Sequence, residues 1–163
     1  MQSDQIGAPA EGGPSPPAGI DPCGPRHQER VELADVAIPR DLRAPRAARA
    51  VIARCLVDHV ASTVLDNLQL LVTELVSNSV LHSGAPEGDD VVVRVHLWQD
   101  VCRLEVEDQG FDGVIAPQPP NRLAGSGMGL NLVETLSQHW GVIRPPGGPT
   151  CVWAQLPCAR AVA

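Results

Sequence analysis

Glu74 and Asn78 are the first pair of polar residues whose spacing suggests a chemical role. They stand four residues apart, at the edge of an apolar pattern that runs at helical spacing from Leu65 to Val76, so both project from one side of a predicted helix. An unpaired carboxylate is costly to bury, which favours a local partner, a cation or a water-filled pocket beside this edge. A solvated helix edge is the alternative that the pair alone leaves open.

Asp108 is the second polar residue at a position where an apolar one is expected. It follows Cys102, Leu104 and Val106 at alternating positions, so it shares their side of a predicted strand and faces the core. Gly110 comes two residues later and allows a close backbone approach to a ligand. The alternative is an aspartate that caps a turn in an Asp-x-Gly sequence.

A glycine-rich segment comes third and opens a predicted helix over residues 127–140. It reads Gly125-Ser-Gly127-Met-Gly129-Leu130, and a helix N-terminus of this kind presents free N–H groups to an anion such as phosphate. A dinucleotide-binding turn requires a preceding strand, and residues 117–122 do not have a strand pattern. A flexible loop remains the alternative for this segment alone.

The composition excludes several classes of function. The sequence contains no lysine, since all twelve basic residues are arginine, so a phosphate-binding P-loop lysine and a pyridoxal Schiff base are excluded. The formal net charge of −7 argues against nucleic acid as a partner. No apolar run predicts a secretory signal or a membrane span. The five cysteines lack a C-x-x-C pair, which favours a reduced, cytoplasmic protein.

The predicted elements define one folded domain over residues 33–158. Residues 1–25 contain eleven prolines and glycines, so residues 1–32 are predicted to be a disordered tail, and residues 159–163 a C-terminal tail. The predicted order β-α-α-β-β-α-β-β indicates an α+β fold. We expect a two-layer α/β sandwich, in which three helices cover one face of a mainly antiparallel mixed sheet and the other face is wet.

In this order, the three features resemble the GHKL, or Bergerat-fold, ATP-binding superfamily, and most closely its bacterial anti-sigma-factor serine/threonine kinases. Leu71 to His82 resembles the N box of that family, Glu105 to Gly110 its first glycine box, and Gly125 to Val133 its second. Gly148 to Trp153 matches a late Gly/Thr stretch less tightly. The resemblance covers roughly residues 33–157 and implies ATP and Mg²⁺ as cofactors.

The resemblance also implies a role for each matching residue. Asn78 would coordinate the Mg²⁺ that bridges the ATP phosphates, Asp108 would accept a hydrogen bond from the adenine amino group, and Thr150 would assist there. Gly110 would let the backbone pass close to the base. The second glycine box would bind the phosphates through Gly125, Gly127, Gly129 and Leu130, and residues 114–124 would form a short lid.

Glu74 would be the catalytic residue, because the family uses an acidic residue at this position as a general base. The resemblance therefore implies a Mg·ATP-binding regulatory serine/threonine protein kinase that phosphorylates a small anti-anti-sigma-like partner and could form a homodimer. The alternative is a non-catalytic ATP-binding module that sequesters a sigma factor or another regulator. The late position of Gly113, one residue beyond its place in the family's first glycine box, favours that alternative slightly.

Overall fold

The computed structural model describes residues 30–82, 88–110 and 128–158. The elements in chain order are β1 (Val31–Pro39), α1 (Ala44–Leu56), α2 (Ser62–His82), β2 (Asp90–Trp98), β3 (Val101–Asp108), α3 (Met128–Leu136), β4 (His139–Ile143) and β5 (Thr150–Pro157). This order is the one that the sequence predicts. The predictions on residues 1–29, on Gly113, on the lid at 114–124, on Gly125 and Gly127, and on residues 159–163 lie outside the described residues.

The five strands form one sheet in the order β1-β2-β3-β5-β4. Each of the four strand pairs in the described part of the chain is antiparallel. Strands β2 and β3 form a hairpin whose turn is Gln99 and Asp100, and Gln99 adopts a positive φ of 46°. The three described helices pack against this sheet and against one another, which confirms the predicted α+β sandwich.

The core lies between the helices and one face of the sheet, called here the inner face. Val91, Val93 and Val95 of β2 are fully buried there, as their alternation predicts. Leu68, Leu71 and Val72 of α2 are also fully buried. The helix that carries Glu74 and Asn78 is therefore fixed over the middle of the sheet. Among the described residues, no helix is both long and apolar enough to cross a membrane.

The third helix ends earlier than the sequence predicts. The third helix was expected to reach Trp140 but ends at Leu136, and Trp140 lies in β4 opposite Ala154 of β5. The Gln138 N–H donates to the Gln155 carbonyl at 2.8 Å, so pairing with a distant strand replaces the next helical turn.

The other face of the sheet, called here the outer face, is less exposed to water than the sequence predicts. The alternation along β3 is right, but Arg103 is 1% exposed, and His96, Trp98, Trp153 and Gln155 are also buried. The guanidinium of Arg103 lies 4.2 Å from the centre of the Trp153 ring. Its Nε donates to Glu105 Oε1 at 2.7 Å. Stacking and charge pairing thus bury an arginine that the alternation would place in water.

His96 makes the stability of this face dependent on pH. Burial, followed by the charge of Arg30, lowers the pKa of His96 below its ordinary value of 6.5. The folded chain therefore keeps this imidazole neutral, whereas the unfolded chain takes up a proton below about pH 6.5. We expect the free energy of unfolding to fall from about pH 7.5 to 5.5, by at most about 1.4 kcal/mol per pH unit.

Chemical denaturation across this pH range checks that expectation. His96→Gln should flatten the pH dependence, whereas His59→Gln, at an exposed position, should leave it as it is in the wild-type chain. An equal slope in the wild-type chain and His96→Gln would show that other groups cause it.

Candidate functional site

Glu74 and Asn78 lie one turn apart in the second half of α2, and both are half-buried. Leu71 and Leu75 beside them belong to the core, so the pair occupies the border between the apolar stripe and the surface. Leu70 and Leu81 on the same helix are 50% and 67% exposed. The side chains of Glu74 and Asn78 therefore contact the core on one side and are open to the surface on the other.

Asp108 ends β3 on the inner face and is 8% exposed, as the alternation predicts. Its Oδ1 accepts a hydrogen bond from the Gly110 N–H at 2.8 Å, which is the turn-capping geometry of an Asp-x-Gly sequence. The turn and a ligand contact are compatible, because an ionised carboxylate has two oxygens and about four acceptor positions. The cap fixes the direction of the carboxylate.

Thr150 lies directly opposite Asp108, since the two residues are register partners between β3 and β5. Partners in an antiparallel pair point to the same face, so the hydroxyl and the carboxylate share the inner face at one end of the sheet. Thr150 is 5% exposed, and its Oγ1 accepts a hydrogen bond from Arg144 Nε at 3.2 Å. The structure thus brings together two residues that lie 42 positions apart in the sequence.

The second glycine box leads into α3, which begins at Met128. Gly129 is in its first turn, and Leu130 packs against the core with Val133. Helix α3 packs against α2, so its N-terminus belongs to the helical layer that carries Glu74 and Asn78. The N–H groups of its first turn have no partner within the helix, which makes this end suited to an anion.

Ser79 is a residue that the sequence analysis missed. It is 5% exposed on α2, directly after Asn78, and within the described residues its Oγ finds no hydrogen-bond partner. A buried hydroxyl without a partner is unfavourable, which makes Ser79 a candidate for contact with a ligand. The sequence indicates only that Ser79 is buried, because it follows Leu75 and Val76 at helical spacing in the apolar stripe.

The chemistry of these groups is compatible with a nucleoside triphosphate and a magnesium ion. A carboxylate and two hydroxyls, from Asp108, Thr150 and Ser79, suit the donors and acceptors of a purine base. The side-chain oxygen of Asn78 suits Mg²⁺, which is usually held by few protein ligands together with substrate phosphates. Among the described residues, no group of three or more His, Cys, Asp or Glu side chains forms a metal site of its own.

Comparison with known proteins shows that part of the chain matches one protein family. Residues 63–160 match the family of histidine kinase-, DNA gyrase B- and HSP90-like ATPases. The match begins in α2 and runs past the end of β5, so it includes both halves of the candidate site. No curated protein matches the chain significantly.

Proposed function

The chain belongs to the family of histidine kinase-, DNA gyrase B- and HSP90-like ATPases, and we propose that it is a Mg·ATP-dependent regulatory serine/threonine protein kinase of the anti-sigma-factor type. Its substrate would be a small anti-anti-sigma-like protein in the cytoplasm. ATP binding rests on the family. The kinase activity rests on one observation, the half-buried carboxylate of Glu74 one turn before Asn78 on α2.

The adenine would be bound at the end of β3. Asp108 would accept a hydrogen bond from the adenine amino group while its Oδ1 stays on the Gly110 N–H. Thr150, opposite Asp108 in register, and Ser79 would supply hydroxyls at the same end. A hydrogen bond to a charged group contributes about 1.5–3 kcal/mol, so Asp108 would give the largest polar contribution to recognition of the base.

Ser79 gives this arrangement a test with two opposite effects. Ser79→Ala removes a hydroxyl whose hydrogen bond is missing in the described chain, so the free energy of unfolding without nucleotide should stay equal or rise, by up to about 1 kcal/mol. ATP affinity should fall about three- to tenfold, because one neutral hydrogen bond contributes about 0.5–1.5 kcal/mol. Thermal melts and calorimetric titration measure the two quantities.

Ser77→Ala, on the same helix at a half-buried position, is the matched control and should change neither quantity. If Ser79→Ala destabilises the chain without nucleotide, or binds ATP as the wild-type chain does, the hydroxyl does not contact the base.

The phosphates would lie between the N-terminus of α3 and Asn78. In a chain without lysine, their negative charge would have to be neutralised by other groups, namely N–H groups, arginine and a bound cation. When bound, Mg²⁺ would supply positive charge beside the phosphates. Asn78 would hold it through its side-chain oxygen, and the first turn of α3 would donate N–H groups to the phosphate oxygens.

Glu74 would act as the general base. It would take the proton from the serine or threonine hydroxyl of the partner as that oxygen bonds to the γ-phosphorus. The bond from the γ-phosphorus to the bridging oxygen of ADP breaks, ADP leaves, and the proton remains on the Glu74 carboxylate. Such help is typically a factor of about 10²–10⁴ in rate. Since Glu74 is half-buried, its carboxylate is within reach of a protein substrate.

Removal of the Asn78 side chain tests the magnesium part of the proposal. With Asn78→Ala, ATP affinity should lose most of its dependence on magnesium, because the protein ligand to the ion is gone, while binding of magnesium-free ATP should change little. Calorimetric titrations with and without magnesium measure both. The control is Asn67→Ala, a half-buried asparagine on the same helix. An unchanged magnesium dependence would remove Asn78 from the metal site.

A transfer assay separates the kinase from its alternative. The wild-type chain is incubated with ³²P-labelled ATP and candidate anti-anti-sigma-like proteins or sigma factors. Phosphoserine or phosphothreonine on a partner supports the kinase. Stable, ATP-dependent binding of a partner without transfer supports instead a non-catalytic module that sequesters a regulator. A chain that binds no adenine nucleotide would contradict both functions.

A further inference from the structure

A groove of about 620 Å³ lies on the outer face of the sheet, on the side away from the three helices. Its lining includes side chains from β1, β2 and β3 and Arg30 just before β1, together with Ile143 at the end of β4, Pro145 and Pro149 in the turn that follows, and Cys151 of β5. The residues assigned above to ATP face the other way, so the groove is separate from the candidate nucleotide site.

Arginine side chains in the groove are already engaged with carboxylates. Arg103 Nε donates to Glu105 at 2.7 Å. Arg94 Nη1 donates to Glu107 at 3.0 Å, and its Nε lies 3.4 Å from Asp35 Oδ1. These contacts form one row of charged side chains that extends from β1 across β2 to β3. An anionic ligand would have to compete with the carboxylates that already pair with Arg94 and Arg103.

The balance of charge in the groove therefore favours a cation. Four carboxylates, on Glu32, Asp35, Glu105 and Glu107, stand against three guanidinium groups, on Arg30, Arg94 and Arg103, which is a formal excess of one negative charge. Glu32, Asp35 and Arg30 are exposed, whereas the side chain of Arg103 is 1% exposed. An approaching ligand thus meets two carboxylates and one guanidinium group at the mouth of the groove.

Two buried side chains in the lining have unmet hydrogen-bonding capacity. Within the described part of the chain, neither ring nitrogen of His96 nor Nη1 of Arg103 has a hydrogen-bond partner. A neutral imidazole offers one acceptor nitrogen, and a guanidinium N–H requires an acceptor. An occupant that supplies both a cationic donor and a carbonyl oxygen would satisfy them, and a peptide with a basic side chain carries both groups.

The wall of the groove towards β4 and β5 is less polar. Ile143, Pro145, Pro149 and Cys151 line it, and burial raises the pKa of the Cys151 thiol to about 12, so this thiol is neutral at physiological pH. A mixed lining of acidic and apolar side chains suits a basic residue that has an apolar neighbour, because the aliphatic stem packs while the charged head pairs.

We propose that this groove is a docking site for a basic segment of a protein partner, in which an arginine or lysine stands next to an apolar residue. The cationic head pairs with Asp35 and Glu32 and reaches His96, and a backbone carbonyl of the segment accepts from Arg103 Nη1. The apolar neighbour packs against Ile143 and the prolines. The proposal does not depend on phosphate transfer, because the groove is outside the nucleotide site.

Binding of a short peptide to the full chain tests the proposal. The probe is Gly-Leu-Arg-Leu-Gly with both ends blocked, and its counterpart with glutamate in place of arginine is the peptide control. In ¹⁵N-resolved NMR titrations, the arginine peptide should shift the amide signals of His96, Arg103 and Cys151. Binding should weaken as salt is raised, and the glutamate peptide should bind at least about three times more weakly.

Variants identify the carboxylates. The double variant Glu32→Gln, Asp35→Asn should bind the arginine peptide at least about three times more weakly than the wild-type chain, whereas Asp58→Asn, at an exposed position, should bind it equally. Any of three results would overturn the proposal: equal binding of both peptides, no saturable binding, or association of the chain with itself through these residues. Mg·ATP titrated in parallel reports separately on the nucleotide site.

Discussion

We expect the Glu74→Gln variant to bind Mg·ATP as tightly as the wild-type chain and to transfer phosphate about 10²–10⁴ times more slowly. Glutamine keeps the length and the hydrogen-bonding shape of the side chain but does not accept the proton of an attacking hydroxyl. Because Glu74 is half-buried at the edge of the core, glutamine at this position should keep the packing of the side chain. Calorimetric titration and a ³²P transfer assay on one preparation measure the two quantities.

Asp66→Asn is the matched control, because Asp66 is an exposed carboxylate two turns earlier on the same helix. This variant should keep the affinity and the rate of the wild-type chain. A Glu74→Gln chain that transfers phosphate at the wild-type rate would contradict the general-base role. A chain that loses ATP binding instead would assign Glu74 to nucleotide binding.

Asp108→Asn should weaken ATP binding about 10- to 100-fold, because a hydrogen bond to a charged group contributes about 1.5–3 kcal/mol. The Asp108 carboxylate already accepts from the Gly110 N–H, and its remaining acceptor capacity would serve the adenine amino group. Asparagine has one oxygen and a donor NH₂ group, so it does not present two acceptor atoms in these two directions.

Asp100→Asn is the control for this change, since Asp100 is an exposed aspartate in the hairpin turn at the other end of β3. The free energy of unfolding without nucleotide should be measured alongside affinity, because the Gly110 contact also supports the turn. Equal ATP affinity in Asp108→Asn and the wild-type chain would show that this carboxylate does not contact the base.

The parts of the fold that depend on local pattern could be predicted from the sequence. The alternation along β2 and β3 gives the direction of each side chain, and it placed Asp108 on the inner face, where the structure has it. The helical spacing of apolar residues around Glu74 and Asn78 predicts the helix that the structure has as α2. These features depend on neighbours within a few residues, which the sequence displays directly.

Features that depend on distant contacts could not be predicted in the same way. The end of α3 depends on the pairing of Gln138 and Trp140 with β5, and the apolar spacing alone fits a longer helix equally well. Arg103 is buried because Trp153, fifty residues later, lies beneath its guanidinium. The unmet hydroxyl of Ser79 also required the surroundings of α2, since a serine inside an apolar stripe often bonds to its own helix.

The most direct test of the central claim is a titration of the ¹⁵N-labelled full chain with Mg·ATP, followed residue by residue. If the nucleotide lies between α2 and the end of β3, saturable shifts should centre on the amides of Asn78, Ser79, Gly110 and Thr150. The amide signals of His96 and Arg103 on the outer face should not shift. No saturable shift, or shifts confined to the outer face, would contradict the claim that this end of the sandwich holds ATP.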